Sequence, residues 1–138
     1  MPNTADYEYD LTKPSILCGS ESPNGDPLNL TGCNSSSAAK LLHVSTSEDD
    51  EWDEVTVEAT NISAGTLTVT AAWGGTDAGA PFTHSVDQSV PSHSTVVLVD
   101  RRPIRGGLKV YAFATTTPEN INTYTSLYRY KGKPRAAS

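Results

Sequence analysis

Long apolar runs, charge and cysteine are all scarce in this 138-residue chain. No apolar stretch approaches the 18 residues that a membrane-crossing helix needs, so no membrane partner is expected. Charged residues make up 19%, too few for a disordered polyelectrolyte, and no helical spacing suggests a coiled coil. The apolar share is 36%, below the usual range of about 45–50%. The Met1-Pro2-Asn3 start lacks the basic and then apolar regions of a secretory leader. Synthesis in a reducing compartment is therefore expected, with Cys18 and Cys33 as free thiols; bridged, they would close a loop of about 15 residues.

Signatures of catalysis are missing too. The chain contains no G-x-S-x-G elbow, no P-loop and no dinucleotide-binding fingerprint. His43, His84 and His93 are too scattered for a structural zinc site. The acidic run Glu48-Asp49-Asp50-Glu51-Trp52-Asp53-Glu54 lacks the alternating ligands and central glycine of a calcium loop. A solvated loop edge or a docking patch for basic residues fits that run better. No catalytic residue, metal ligand or cofactor is assigned, and an enzyme is not expected. Asn29, Asn34 and Asn61 match the glycosylation pattern, as a chain with about a quarter Ser and Thr does by chance.

What is present is alternation of period 2. Val55, Val57 and Ala59 alternate with Thr56, Glu58 and Thr60; Leu67, Val69, Ala71 and Trp73 alternate with threonines. Similar runs follow at 81–87, 95–100, 107–115 and 121–130, with Gly and Pro turns between them. The continuous apolar run Val96–Val99 suggests a strand covered on both faces. With a segment around Leu42, about seven strands result, and a single all-β sandwich or jelly roll is the expected fold. Val57, Leu67, Val69, Leu98, Val110 and Ala112 occupy the apolar phase and are expected in its core.

Three regions follow: an N-terminal arm at 1–38, a sandwich at 39–130 and a basic tail at 131–138. The arm is punctuated by Pro2, Pro14, Pro23 and Pro27, and its apolar residues come singly or in pairs. Tyr7, Tyr9, Leu11, Ile16 and Leu17 are too apolar for a plain tether. The arm is expected to be extended, either loose or ordered on a neighbouring chain. Charge is divided along the sequence. Residues 1–100 hold two lysines against fifteen carboxylates, a net −13; residues 101–138 hold eight basic residues against Glu119, a net +7. An electrically polar molecule is expected, with Arg101, Arg102 and Arg105 available to an acidic partner surface. The tail from Arg129 to Arg135 mixes basic and aromatic residues, as single-strand binders do. Its few cations give only weak, salt-sensitive attraction against an acidic body, so nucleic acid is not expected as a partner.

The last strands carry aromatic residues on both faces, among them Tyr111, Phe113, Tyr124, Tyr128 and Tyr130. One face closes the core; the other needs a cover from the arm or from a neighbouring molecule. The candidate partner interface is therefore Tyr7, Tyr9, Leu11, Ile16, Leu17, Tyr111, Phe113, Arg101, Arg102 and Arg105. Trp52, Trp73 and Tyr111 are an alternative set, as stacking platforms for a carbohydrate.

The stretch from Ala59 to Val69 leading to Trp73-Gly74-Gly75, the block Val90–Ser94 with Val96–Val99, and Gly107–Ala114 resemble small β-sandwich virion proteins of tailed bacteriophages. The likeness covers about half the chain and leaves out residues 1–50 and the tail. It implies a non-enzymatic structural protein of the virion, made in the host cytoplasm. Capsid decoration fits best, with the major capsid protein or other virion proteins as partners and homo-oligomers in the particle. A head–tail adaptor, a tail or fibre attachment protein, and a carbohydrate-binding or adhesin-like module are the alternatives.

Overall fold

The computed structural model describes residues 7–9, 14–75 and 82–134, with only the backbone of 7–9 and 133–134. The described residues form ten strands: β1 (Tyr7–Tyr9), β2 (Ser15–Cys18), β3 (Leu28–Asn29), β4 (Lys40–Val44), β5 (Glu51–Asn61), β6 (Leu67–Gly75), β7 (His84–Val90), β8 (Thr95–Ile104), β9 (Lys109–Phe113) and β10 (Ile121–Pro134). Strands β4 to β10 are the seven long runs that alternation and turn spacing anticipate. They stack as a β-sandwich of two antiparallel sheets. In the first, β10, β5 and β8 lie side by side; in the second the order is β4-β9-β6-β7.

Strand β5 shows why this sequence makes a sandwich. Asp53, Val55, Val57, Ala59 and Asn61 point inward, while Trp52, Glu54, Thr56, Glu58 and Thr60 point outward. Burying alternate residues only is what a sheet with one wet face requires. Val57, Leu67, Val69, Leu98, Val110 and Ala112 all lie in the core, with Leu42, Val55, Val90 and Ile121. At one end the buried Asn61 locks the hairpin to β6. Its amide donates to the carbonyls of Gly65 (2.7 Å) and Val90 (2.9 Å), and its oxygen accepts from the backbone N–H and hydroxyl of Ser63. Every hydrogen-bonding position of that side chain is used. A glycan there would require its expulsion from the core.

Two expectations need correction. The run Val96–Val99 is not covered on both faces, since Val97 is 48% exposed. Register shifts between β5 and β8 let the consecutive residues Leu98 and Val99 both turn inward. The arm is the larger correction. Residues 15–18 and 28–29 pair antiparallel with β10 of the same chain, opposite Ser126–Arg129 and Asn122–Thr123. Leu30 enters the core and Leu28 packs against it. The arm is therefore part of its own sandwich over this range. The physical reason is that β10 is 14 residues long and would otherwise show an unpaired edge. A proline-broken segment satisfies that edge in short pieces, each needing only a few residues of regular backbone.

Candidate assembly interface

The folded arm is fastened by a buried polar cluster. Asp53 of β5 is 0% exposed and His43 of β4 is 1% exposed. Asp53 Oδ1 accepts from Arg129 Nε at 2.7 Å, and its Oδ2 accepts from Arg129 (3.0 Å), the Thr46 N–H (3.0 Å) and His43 Nε2 (2.8 Å). His43 Nδ1 accepts the Ser20 N–H at 3.0 Å, so the ring proton sits on Nε2 and points at Asp53. One carboxylate thus joins both sheets to the arm. Burial pushes the Asp53 carboxyl up, but hydrogen bonds from His43 and Arg129, the Arg129 charge and the Thr46 N–H outweigh it. The group is held below the ordinary value of 3.8.

Ser20, His43 and Asp53 are the residue types of a nucleophilic triad, but they are wired as a clamp. The acceptor nitrogen of the imidazole is filled by a backbone N–H. The Ser20 hydroxyl instead meets the Val44 N–H at 2.8 Å and the Glu21 carboxylate at 3.3 Å. A general base needs its acceptor nitrogen within reach of the nucleophile's proton, and here the imidazole has none to offer. Among the described residues no group of His, Cys, Asp and Glu has the arrangement of a metal site. Both cysteines are free thiols.

Folding brings part of the acidic run against part of the basic quarter. Strands β8 and β10 flank β5 on either side. Arg101 bridges Glu54 at 2.8 Å, Arg129 pairs with Asp53 at 2.7 Å, and Arg105 donates to the Asp49 carbonyl. Asp53, expected on a solvated edge or docking patch, is instead the most interior of these carboxylates.

Among the described residues, two surfaces stand open. The first is the outer face of the sheet that holds β10, β5 and β8. Tyr124 and Tyr128 project from it, Tyr130 on the same face is buried against Trp52, Ile16 lies beside Tyr128, and Val97 is in the row of Tyr124 and Glu58. Ile16 is 74% exposed and Tyr124 36%. Arg101 lies over the Tyr128 ring at 4.9 Å, and Trp52 stacks on Tyr130 at 5.1 Å. The second is a cleft of about 500 Å³ between β7 and β8, floored by Trp73, Val86, Leu98 and Val99 and rimmed by Asp100, Arg101, Arg102 and Pro103. It adjoins a smaller hollow of about 190 Å³ that reaches His84 and Arg105.

The structure therefore divides the candidate interface residues. Ile16 and Arg101 share the outer face and Leu17 its margin; Arg102 borders the cleft and Arg105 the smaller hollow beside it. Phe113 lies half-buried on the other sheet. Tyr111, beside it, is a correction: it is 5% exposed, packed edge-on against Phe82 at 5.6 Å, and offers the free chain no docking surface. Leu11 and the side chains of Tyr7 and Tyr9 lie outside the described residues. The carbohydrate-stacking set is also occupied from within, because Trp73 stacks on His84 at 5.5 Å and Trp52 on Tyr130. Tyr124, Tyr128 and Val97 were missing from the candidate interface. The even spacing of the tyrosines, opposite in phase to Thr123, Thr125 and Leu127, was the available signal.

By architecture the chain belongs with two-sheet antiparallel β-sandwich proteins. No protein family matches its sequence, and no curated protein sequence matches it either. Solved structures give distant likenesses. A Bacillus endospore appendage protein of a disulfide-linked pilus family is 10% identical, with 95% of each chain covered and a TM-score of 0.46. The CBM22-1 xylan-binding domain from Paenibacillus barcinonensis is 11% identical, covering 99% of this chain and 91% of that one, at a TM-score of 0.46. The coat protein of Tobacco streak virus is 7% identical, covering 100% of this chain and 93% of that one, at 0.36. At these scores none of them bears on what this chain binds.

Proposed function

We propose that the chain is a non-enzymatic structural protein of a tailed-phage virion, a decoration protein seated on the major capsid protein. The observation that carries this reading is the outer sheet face, where Ile16, Val97 and Tyr124 stand exposed in a setting of stacked aromatics. Apolar surface gathered on one face of a small domain marks a protein contact, with aromatic rings as the energetic anchors. The resemblance to phage β-sandwich proteins adds the setting, the capsid surface of a particle assembled in the host cytoplasm.

The test is the copy number in purified particles. Hundreds of copies per particle support decoration, about a dozen a head–tail ring, and absence from particles overturns the proposal. Tyr124→Asp should leave the fold intact and lower occupancy on particles. Unchanged occupancy would remove the outer face from the argument.

A further inference from the structure

Among the described residues, three that are not glycine hold a positive φ: His93, Arg101 and Thr117. His93 lies in the turn between β7 and β8, and Thr117 caps a single 3-10 turn. Arg101, at φ 49°, stands inside strand β8. A side chain resists that region of the backbone, where glycine is at ease. The register shows how the strain arises. Val57 faces Val99 and Val55 faces Arg102, so Asp100 and Arg101 together stand opposite Thr56. Two residues against one make a β-bulge, a device that re-aims a side chain. Strict alternation from the inward Val99 would turn Arg101 toward the interior side. The extra residue sends it to the outer face instead, where the Thr56 hydroxyl accepts its N–H at 3.2 Å.

On that face the guanidinium gathers three side chains from two other strands. Its Nε and Nη2 donate to Glu54 Oε1 of β5 at 2.9 and 2.8 Å. Nη2 also donates to the Tyr130 hydroxyl of β10 at 3.3 Å, and the guanidinium carbon lies 4.9 Å from the centre of the Tyr128 ring. Tyr130 in turn stacks on Trp52. We infer that Arg101 is a positioning residue of the outer docking face: the bulge delivers it there, and it sets Tyr128, Tyr130 and Glu54 in place before a partner arrives. The inference rests on the outer face being the contact surface, and it names the chemistry of the partner's side. That side is an apolar patch, not the acidic surface that clustered arginines suggest in the sequence, because Glu54 already engages the Arg101 charge. Side chains set in place beforehand lose less entropy on binding. Backbone strain held inside a strand points to a role beyond folding, since glycine would meet the bulge's conformational need without it.

The test compares the full chain with Arg101→Gly and Arg101→Lys, and its binding probe is purified particles stripped of the protein. Arg101→Gly should melt within about 5 °C of the parent or above it, because relief of the backbone offsets the lost contacts. Its near-ultraviolet circular dichroism should weaken as the rings of Tyr128, Tyr130 and Trp52 lose their common setting. Its affinity for particles should fall about tenfold or more. Arg101→Lys keeps the charge but not the planar fork, and should lose affinity as well. Parent binding should hold between about 0.1 and 1 M salt, as an apolar contact does. An Arg101→Gly chain that melts more than about 5 °C lower makes the bulge a folding element and overturns the inference. So does full affinity in Arg101→Lys, or parent binding that collapses in high salt, since either means that Arg101 meets an acidic partner directly. If the parent itself does not bind particles, the capsid reading fails on its own account. The isolated chains then decide: a near-ultraviolet spectrum unchanged in Arg101→Gly overturns the positioning role.

Discussion

The two margins of the sandwich solve the same problem in opposite ways. Along β10 the chain spends its own N-terminal arm to pair the edge, sinks Leu30 into the core and ties the seam with Asp53, Arg129, His43 and Ser20. Along β7 and β8 the sheets part over an apolar floor with Asp100, Arg101 and Arg102 on the rim. A margin that is paired and internally hydrogen-bonded contributes to folding, whereas the open one, among the described residues, leaves the outer backbone edge of β7 unpaired.

If that division holds, the largest loss should come from the clamp. Asp53→Ala leaves a guanidinium and an imidazole facing a vacancy and should cost about 3–5 kcal/mol in urea unfolding. A loss under about 1 kcal/mol would mean that the seam is held by packing alone. Next, Leu30→Ala should cost about 2–5 kcal/mol as a buried truncation, whereas Val86→Ala at the open margin should cost about 1 kcal/mol or less. Equal costs would erase the comparison. Gly19→Ala should destabilise by about 1–3 kcal/mol, because the added Cβ meets the Leu42 carbonyl at 2.8 Å and Thr125 Cβ at 2.9 Å. Protection of the β2 amides against hydrogen exchange should fall first in that variant.

The pH dependence sharpens the same contrast. The folded Asp53 carboxyl lies below its ordinary, unfolded value of 3.8. Its stabilising share is therefore fully present above that unfolded value and is lost as pH falls through the lower folded one. Acid titration of the parent should show this loss, and Asp53→Asn should flatten it. The smallest effect belongs to the outer face. Ile16→Ser should change stability by no more than about 0.5 kcal/mol, as an exposed side chain does.

Most of the strand pattern was open to reading along the chain because alternation is local. Val55, Val57 and Ala59 declare their face without any knowledge of the partner strand. Leu98 and Val99 show the limit, since a shift of register against β5 decides which of Val96–Val99 turn inward. The candidate interface was less accessible. Arg101, Arg102 and Arg105 stand together in the sequence, yet Arg101 and Arg105 are engaged by the acidic run while Arg102 sits over Trp73. Sequence position does not distinguish these fates.

Composition and spacing were enough for an all-β sandwich with its core residues, because burial of alternate side chains writes itself into a period of 2. Tertiary structure alone decided where the arm lies and which charges remain outside. Arm and β10 are about 100 residues apart, and pairing at that distance depends on which edge the folded sheets leave open. For the same reason Asp53 looks like one member of an acidic run and becomes its one fully buried carboxylate: strand phase turns it inward, where His43 and Arg129 arrive from other strands.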